Sequence, residues 1–146
     1  MNMKKVKDSS TNYRKYLEKA LDVDFGIFDG SSQRSDGGAT NAQLLAIHED
    51  GSITRGIPRR SVLRNTINVK KDSIAKIAKE NILKGNLDAS KVVGAAVLSF
   101  RLEAFQTKGF GTWQELDKKT IKRKNGKTEI LQDTVQMARS LDVRIK

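Results

Sequence analysis

The stretch DASKVVGAAVLSFRLEAFQ, residues 88–106, decides the fold. Val93, Val97, Phe100 and Ala104 recur at spacings of three and four residues, which predicts one apolar face of a helix beginning at Asp88 or Ser90. That face is widened by further apolar residues, namely Val92, Ala96, Leu98, Leu102 and Phe105. A helix with so broad an apolar face is buried on two sides. We therefore predict that it is the central helix of the core.

A second long helix precedes the central one. In residues 71–83 the apolar side chains form a single stripe opposite lysines and a glutamate, and the stripe consists of Ile74, Ile77, Ala78 and Ile82. Gly85 and Asn86 follow as an end signal, since both residue types tolerate the left-handed backbone conformation. These two segments predict a pair of packed helices.

Shorter elements surround this pair. VDFGIF (23–28) and DVRI (142–145) have strand length and strand-like patterning. Amphipathic spacing predicts further short helices at residues 11–21, from Thr40 or Asn41 to Gly51, near 116–121, and from Asp133 or Thr134 to Leu141. Helices and strands do not alternate regularly, which favours an α+β fold. We predict one domain, 1–146, with a few-stranded sheet packed against the two longer helices.

Several segments carry little to bury. Residues 1–10 are predicted to be a flexible basic N-terminus, and residues 29–38 and 51–57 long, exposed, mobile loops. Pro58 fits the first turn of a helix or a tight turn, because its backbone angle is fixed. The sequence of residues 108–111, KGFG, predicts a glycine-flanked turn.

Composition narrows the function classes. The formal net charge is +11 and there is no cysteine, which excludes disulfides and thiolate chemistry. No apolar run has the length of a membrane span or a secretory signal, so we expect no membrane association. Such a charge suits nucleic acid or an acidic protein partner, although it also serves plain solubility.

His48, Glu49 and Asp50 invite a catalytic or metal-binding interpretation. Side chains at adjacent helix positions point apart, however, and no second histidine or cysteine exists to complete a zinc site. We expect His48 to pack or hydrogen-bond at a helix end rather than to take part in catalysis or hold a metal ion. A metal-dependent enzyme using these three residues remains a distant alternative.

Two separated segments resemble one known family. IHEDGSITRGIPRRSVLR (47–64) resembles the "hE-x-G … iP-x-R-x-x-l-r" signature of head–tail joining proteins of tailed bacteriophages, also called tail-completion, minor tail or virion-morphogenesis proteins. WQELDKKTIKRKNGKTEILQDTVQMARSLDVRI (113–145) is similar to their C-terminal pattern at Trp113, Leu116, Thr120, Arg123, Lys124, Leu131, Asp133, Thr134 and Ser140. The chain departs from the pattern at Asp50, where an aromatic residue is common, at Ser61-Val62, which replace Pro-Phe, and at Val135, which replaces a glycine.

The resemblance implies a structural protein of the virion neck or tail top, assembled in the host cytoplasm. It also implies no enzymatic activity, no catalytic or metal site and no cofactor. It implies a homo-oligomeric ring, a hexamer by resemblance, between head-completion and tail-terminator proteins, with the genome passing through the channel. Loops 29–38 and 51–57 are long enough to reach an adjacent subunit. The alternative is a basic nucleic-acid-binding protein.

Partner contacts are expected in three regions, which are two basic segments and loop 29–38. The basic segments contribute Arg55, Arg59, Arg60 and Arg64 and then Lys118, Lys119, Lys122, Arg123 and Lys124, with non-specific contact to DNA in the channel as a further expectation. A solvated face is the alternative for the second segment. Trp113, the only tryptophan, is included among the interface residues, and anchoring of its turn on the core is its other predicted role.

Overall fold

A computed structural model describes residues 22–28, 33–35, 37–128, 130 and 135–146. In chain order its elements are β1 (Val23–Ile27), α1 (Asn41–Asp50), α2 (Leu63–Leu83), α3 (Ala89–Gln106), α4 (Lys118–Arg123), α5 (Gln136–Ser140) and β2 (Leu141–Ile145). The predicted N-terminal segments, 1–10 and 11–21, lie outside the described residues, as does much of loop 29–38. The predicted α+β class is confirmed.

The two strands form an antiparallel sheet. Val23 pairs with Ile145 at one end and Ile27 with Leu141 at the other. Because side chains alternate across a strand, Val23, Phe25 and Val143 lie on one face. They pack against the core that α2 and α3 share. The sheet therefore joins the beginning of the described chain to its end.

Helix α3 lies between α2 and the sheet, as its broad apolar face predicted. Val93 and Val97 are buried against Ala78 of α2. Gly94 lets the sheet approach, since a Cβ there would lie 3.0 Å from a methyl carbon of Val143. The predicted face was too wide in one respect: Val92 and Leu102 are 38% and 52% exposed.

Helix α2 begins eight residues earlier than Lys71, where the apolar stripe predicted it. Its first turn starts at Leu63, and Thr66 is fully buried. Pro58 accordingly does not begin a helix but lies in the segment before it. The helix begins at Leu63 because the side chain of Glu49, from the end of α1, caps it there, and the local sequence pattern does not reveal this cap.

Helix α1 matches its prediction at both ends. The Thr40 hydroxyl accepts a hydrogen bond from the Gln43 backbone N–H, and the Gln43 side chain accepts one from the Thr40 N–H. This reciprocal capping box satisfies two amide donors that a helix start leaves without partners. At the other end Gly51 adopts φ 73°. The chain then reverses through a tight turn in which Ser52 and Ile57 pair.

A second core cluster joins α1, α3 and the C-terminal segment. Its buried members are Leu45, Val62, Phe105, Trp113, Ile130, Met137 and Leu141. The last short helix follows Val135, which has φ 51°, so a β-branched residue occupies a left-handed position. The predicted caps Asp133 and Thr134 lie outside the described residues, and the helix ends at Ser140 because β2 begins at Leu141.

Candidate functional site

Glu49 holds a buried carboxylate at the beginning of α2. The residue is 6% exposed. Its Oε1 accepts the backbone N–H groups of Val62 and Leu63 at 2.5 and 2.6 Å, and its Oε2 accepts the Ser61 hydroxyl at 2.6 Å. A carboxylate at a helix N-terminus satisfies free donors and complements the helix dipole. Glu49 is thus the cap of α2, supplied from the end of α1.

The three residues 48–50 have three separate environments. His48 is half-buried, and burial, reinforced by the charge of Arg60, lowers the pKa of its imidazole from the ordinary value. The Asp50 carboxylate lies in solvent, 2.8 Å from Arg64 Nη1. The predicted helix end is confirmed. The sequence did not show that the Glu49 side chain caps the next helix, α2.

Trp113 connects the C-terminal segment, 113–145, to the Glu49 cap. The place where Glu49, Arg60, Ser61 and Trp113 meet is called the corner below. Its indole N–H donates to the Ser61 carbonyl at 3.0 Å. Its ring meets Phe105 edge to face at a centroid distance of 5.8 Å. A Cβ on Gly109 would lie 2.1 Å from the indole nitrogen, so the turn fits only glycine at that point. Trp113 is 5% exposed and anchors the turn on the core, which is one of its two predicted roles.

Arg60 makes the second connection. Its Nε donates to the Gln114 carbonyl at 3.0 Å and its Nη2 to the Glu115 carbonyl at 3.3 Å. The residue is 7% exposed, and burial lowers its pKa, opposed by the charges of Glu115 and Asp117. An arginine stays charged under such shifts because its guanidinium does not lose its proton in proteins. The buried guanidinium of Arg60 therefore joins segment 47–64 to the beginning of segment 113–145.

A groove of about 620 Å³ opens between these segments. One wall comes from residues 55–60 and the other from residues 114–124, including α4. Of the residues that the structure describes, four basic side chains line it, two from each predicted basic segment: Arg55, Arg60, Arg123 and Lys124. The structure thus brings together residues that are more than sixty positions apart in the chain.

The groove also contains acidic and apolar side chains. Glu115 and Asp117 line it, and so do Ile57, Pro58 and Leu116. Asp117 caps α4 by accepting the Thr120 backbone N–H at 2.6 Å, and this hydrogen bond lowers its pKa. The lining is therefore basic on balance but not uniformly so.

The remaining predicted contact residues lie elsewhere. Arg59 Nε donates to the Glu49 carbonyl at 3.0 Å, and Arg64 pairs with Asp50. Lys118, Lys119 and Lys122 are exposed on α4 and do not line the groove. The apolar groove residues were not singled out from the sequence, because no local pattern distinguishes them from ordinary loop residues.

Comparison of the chain with models of known protein families, with curated proteins and with solved structures gave no match. Within the described ranges, no helix combines the length and apolar character needed to cross a bilayer. Nor do His, Asp and Glu side chains of those residues gather in groups of three or more that could hold a metal ion.

Proposed function

We propose that this protein is a structural component of a tailed-phage virion that completes the tail or joins it to the head. In this proposal it is a subunit of a ring, hexameric by resemblance, through which the genome passes. Head-completion and tail-terminator proteins are its proposed neighbours. The virion neck or tail top is its proposed location.

One observation carries the proposal. The two segments that resemble this family, 47–64 and 113–145, meet at a single corner through the hydrogen bonds of Trp113 and Arg60. The recurring positions of the pattern therefore have a common physical role. The glutamate caps a helix, the tryptophan locks that cap, and the arginine ties the two segments together.

The corner also suits assembly. A ring needs contact between two different patches of neighbouring subunits. Beside the groove, the turn at residues 52–57 extends into solvent, and Ile53 at its tip is fully exposed. An apolar tip mounted on a rigid corner offers one such patch.

Disruption of the gene in a phage that carries it tests the proposal. We expect DNA-filled heads and separate tails in electron micrographs, and infectious particles again when the intact gene is supplied in trans. Complete, infectious particles without the protein would refute a joining role. Particles arrested before DNA packaging would place the protein at an earlier step and equally contradict it.

The alternative, a basic nucleic-acid-binding protein, is favoured by the net charge of +11 and by the four bases in the groove. It requires tight, sequence-selective DNA binding by the isolated protein. A metal-dependent enzyme gains no support, since the Glu49 carboxylate is already engaged by three close donors.

A further inference from the structure

We infer that the groove between residues 55–60 and 114–124 is a binding site for an acidic, partly apolar peptide segment of a partner protein. In this site a ligand carboxylate faces the Arg60 guanidinium. The inference goes beyond the proposed function, because it assigns a ligand chemistry to a place in the fold and holds for any partner that carries such a segment.

Arg60 is the first reason. A buried charge is costly unless it is paired, yet Arg60 makes no ion pair with any described residue. Two of its nitrogens donate to backbone carbonyls. Its Nη1 donates to no described residue, and it is not among the fully buried polar atoms that lack partners. This nitrogen therefore keeps access to a ligand, on a guanidinium that two carbonyls hold in place.

The charges around Arg60 are the second reason. Arg55 extends from the turn on one side, and Arg123 and Lys124 lie at the end of α4 on the other. Among the described lining residues, basic side chains outnumber carboxylates by four to two. Guanidinium groups form strong, directional hydrogen bonds with carboxylates. A segment with more than one acidic side chain matches this arrangement.

The rest of the lining favours a peptide over a nucleic acid. Glu115 and Asp117 repel every anion, so the groove suits a few carboxylates spaced among neutral residues better than a phosphate backbone with a charge at every nucleotide. Ile57, Pro58 and Leu116 offer apolar contact, and no Phe, Tyr or Trp among the described residues lines the groove to stack on bases. The volume, about 620 Å³, is that of a small-ligand site and holds a few residues of extended chain.

Fluorescence anisotropy of the full chain tests the inference with three labelled probes. The probes are a short peptide of alternating aspartate and leucine, its asparagine–leucine counterpart, and single-stranded oligothymidylate of equal length. We expect the acidic peptide to bind best, the neutral peptide roughly tenfold or more weakly, and oligothymidylate more weakly than the acidic peptide.

Two variants locate the site. Arg60→Gln should weaken acidic-peptide binding roughly tenfold. Because Arg60 also ties two segments together, the double variant Arg55→Gln/Arg123→Gln, at exposed positions, provides an independent test and should weaken binding by a similar factor. The matched control, Lys79→Gln/Lys84→Gln, removes two exposed charges of α2 and its end and should leave affinity unchanged.

Each contrary result overturns the inference. Equal loss in the control and the groove double variant would show that only net charge matters. Equal binding of the neutral and acidic peptides would remove the role of the carboxylates. Tighter binding of oligothymidylate would make the groove a nucleic-acid site, and no measurable peptide binding would end the proposal.

Discussion

At the scale of single residues, Glu49 and Asp50 show how far environment separates neighbours of the same charge. The Glu49 carboxylate is buried and accepts a hydroxyl and two close amide donors. The Asp50 carboxylate is 65% exposed, and its ion pair with Arg64 is in water. Hydrogen bonds to a buried charge contribute far more to stability than an exposed ion pair does. Substitutions at Glu49 and Asp50 therefore compare the loss of a buried carboxylate with the loss of an exposed one.

We expect Glu49→Gln to lower the free energy of unfolding by roughly 2–4 kcal/mol, because an amide accepts with one oxygen and brings its NH2 group against amide donors. Asp50→Asn should cost about 1 kcal/mol or less. Urea denaturation of both variants measures the difference. Equal losses would contradict the capping role of Glu49.

Val135 is a second residue whose conformation makes a prediction. Its φ of 51° is left-handed, where a β-branched side chain crowds the backbone and a glycine does not. The phage family that the sequence resembles commonly has glycine there. The departure noted in the sequence thus falls on a position whose backbone suits glycine.

We expect Val135→Gly to raise the free energy of unfolding by about 0.5–1 kcal/mol, since the relieved strain exceeds the entropy that glycine loses on folding. Val69→Gly, at an exposed position inside α2, should lower it by about 1 kcal/mol. Thermal unfolding compares the two variants. A decrease at both positions would show that the left-handed backbone at 135 carries no relievable strain.

At the scale of elements, the turn after α3 aims Trp113 at the cap of α2. Gly109 and Gly111 both have positive φ, at 66° and 78°. A Cβ at Gly109 would collide with the indole ring, whereas nothing lies within 4 Å of a Cβ at Gly111. Both glycines are therefore favoured by a left-handed backbone, but only Gly109 is also required by the packing of the indole ring.

We expect Gly111→Ala to destabilise the protein by about 1–2 kcal/mol, the cost of a left-handed alanine. Gly109→Ala should cost roughly 1–3 kcal/mol more, because the indole must also move. Tryptophan fluorescence should shift to longer wavelength in the Gly109 variant alone, since Trp113 is the only tryptophan. The same shift in both variants would contradict the packing account.

At the scale of the whole molecule, one helix connects two parts of the core in a strongly basic chain. Helix α3 connects the sheet and α2 on one side with the Glu49–Trp113 corner at its C-terminal end. Phe25 packs against both core clusters and joins them. The net charge of +11 belongs to the full sequence, and only some of its basic residues line the groove.

We therefore expect weak, sequence-independent association with duplex DNA. The logarithm of the binding constant should fall linearly with the logarithm of salt concentration, by about 0.9 per phosphate contacted. Titrations of two unrelated duplexes from about 50 to 200 mM salt measure both slope and selectivity. A preference of about a thousandfold or more for one sequence would support the alternative function instead.

The amino-acid sequence by itself determined the helix pair, the two strands, the ends of α1 and the turns at Gly51 and Lys108–Gly111. These features follow from spacing and backbone preference within a few neighbouring residues. The sequence also singled out the two basic segments that contribute to the groove. It did not distinguish the groove bases Arg55, Arg60, Arg123 and Lys124 from Lys118, Lys119 and Lys122, which lie outside the groove.

Only the tertiary structure decided where α2 begins, what Glu49 does and that the basic segments form one groove. Each of these depends on a polar group finding its partner elsewhere in the chain: Glu49 with the amides of 62 and 63, and Arg60 and Trp113 across more than fifty residues. Buried donors and carboxylates must be satisfied. Which ones meet is set by the packing that returns distant segments to one corner.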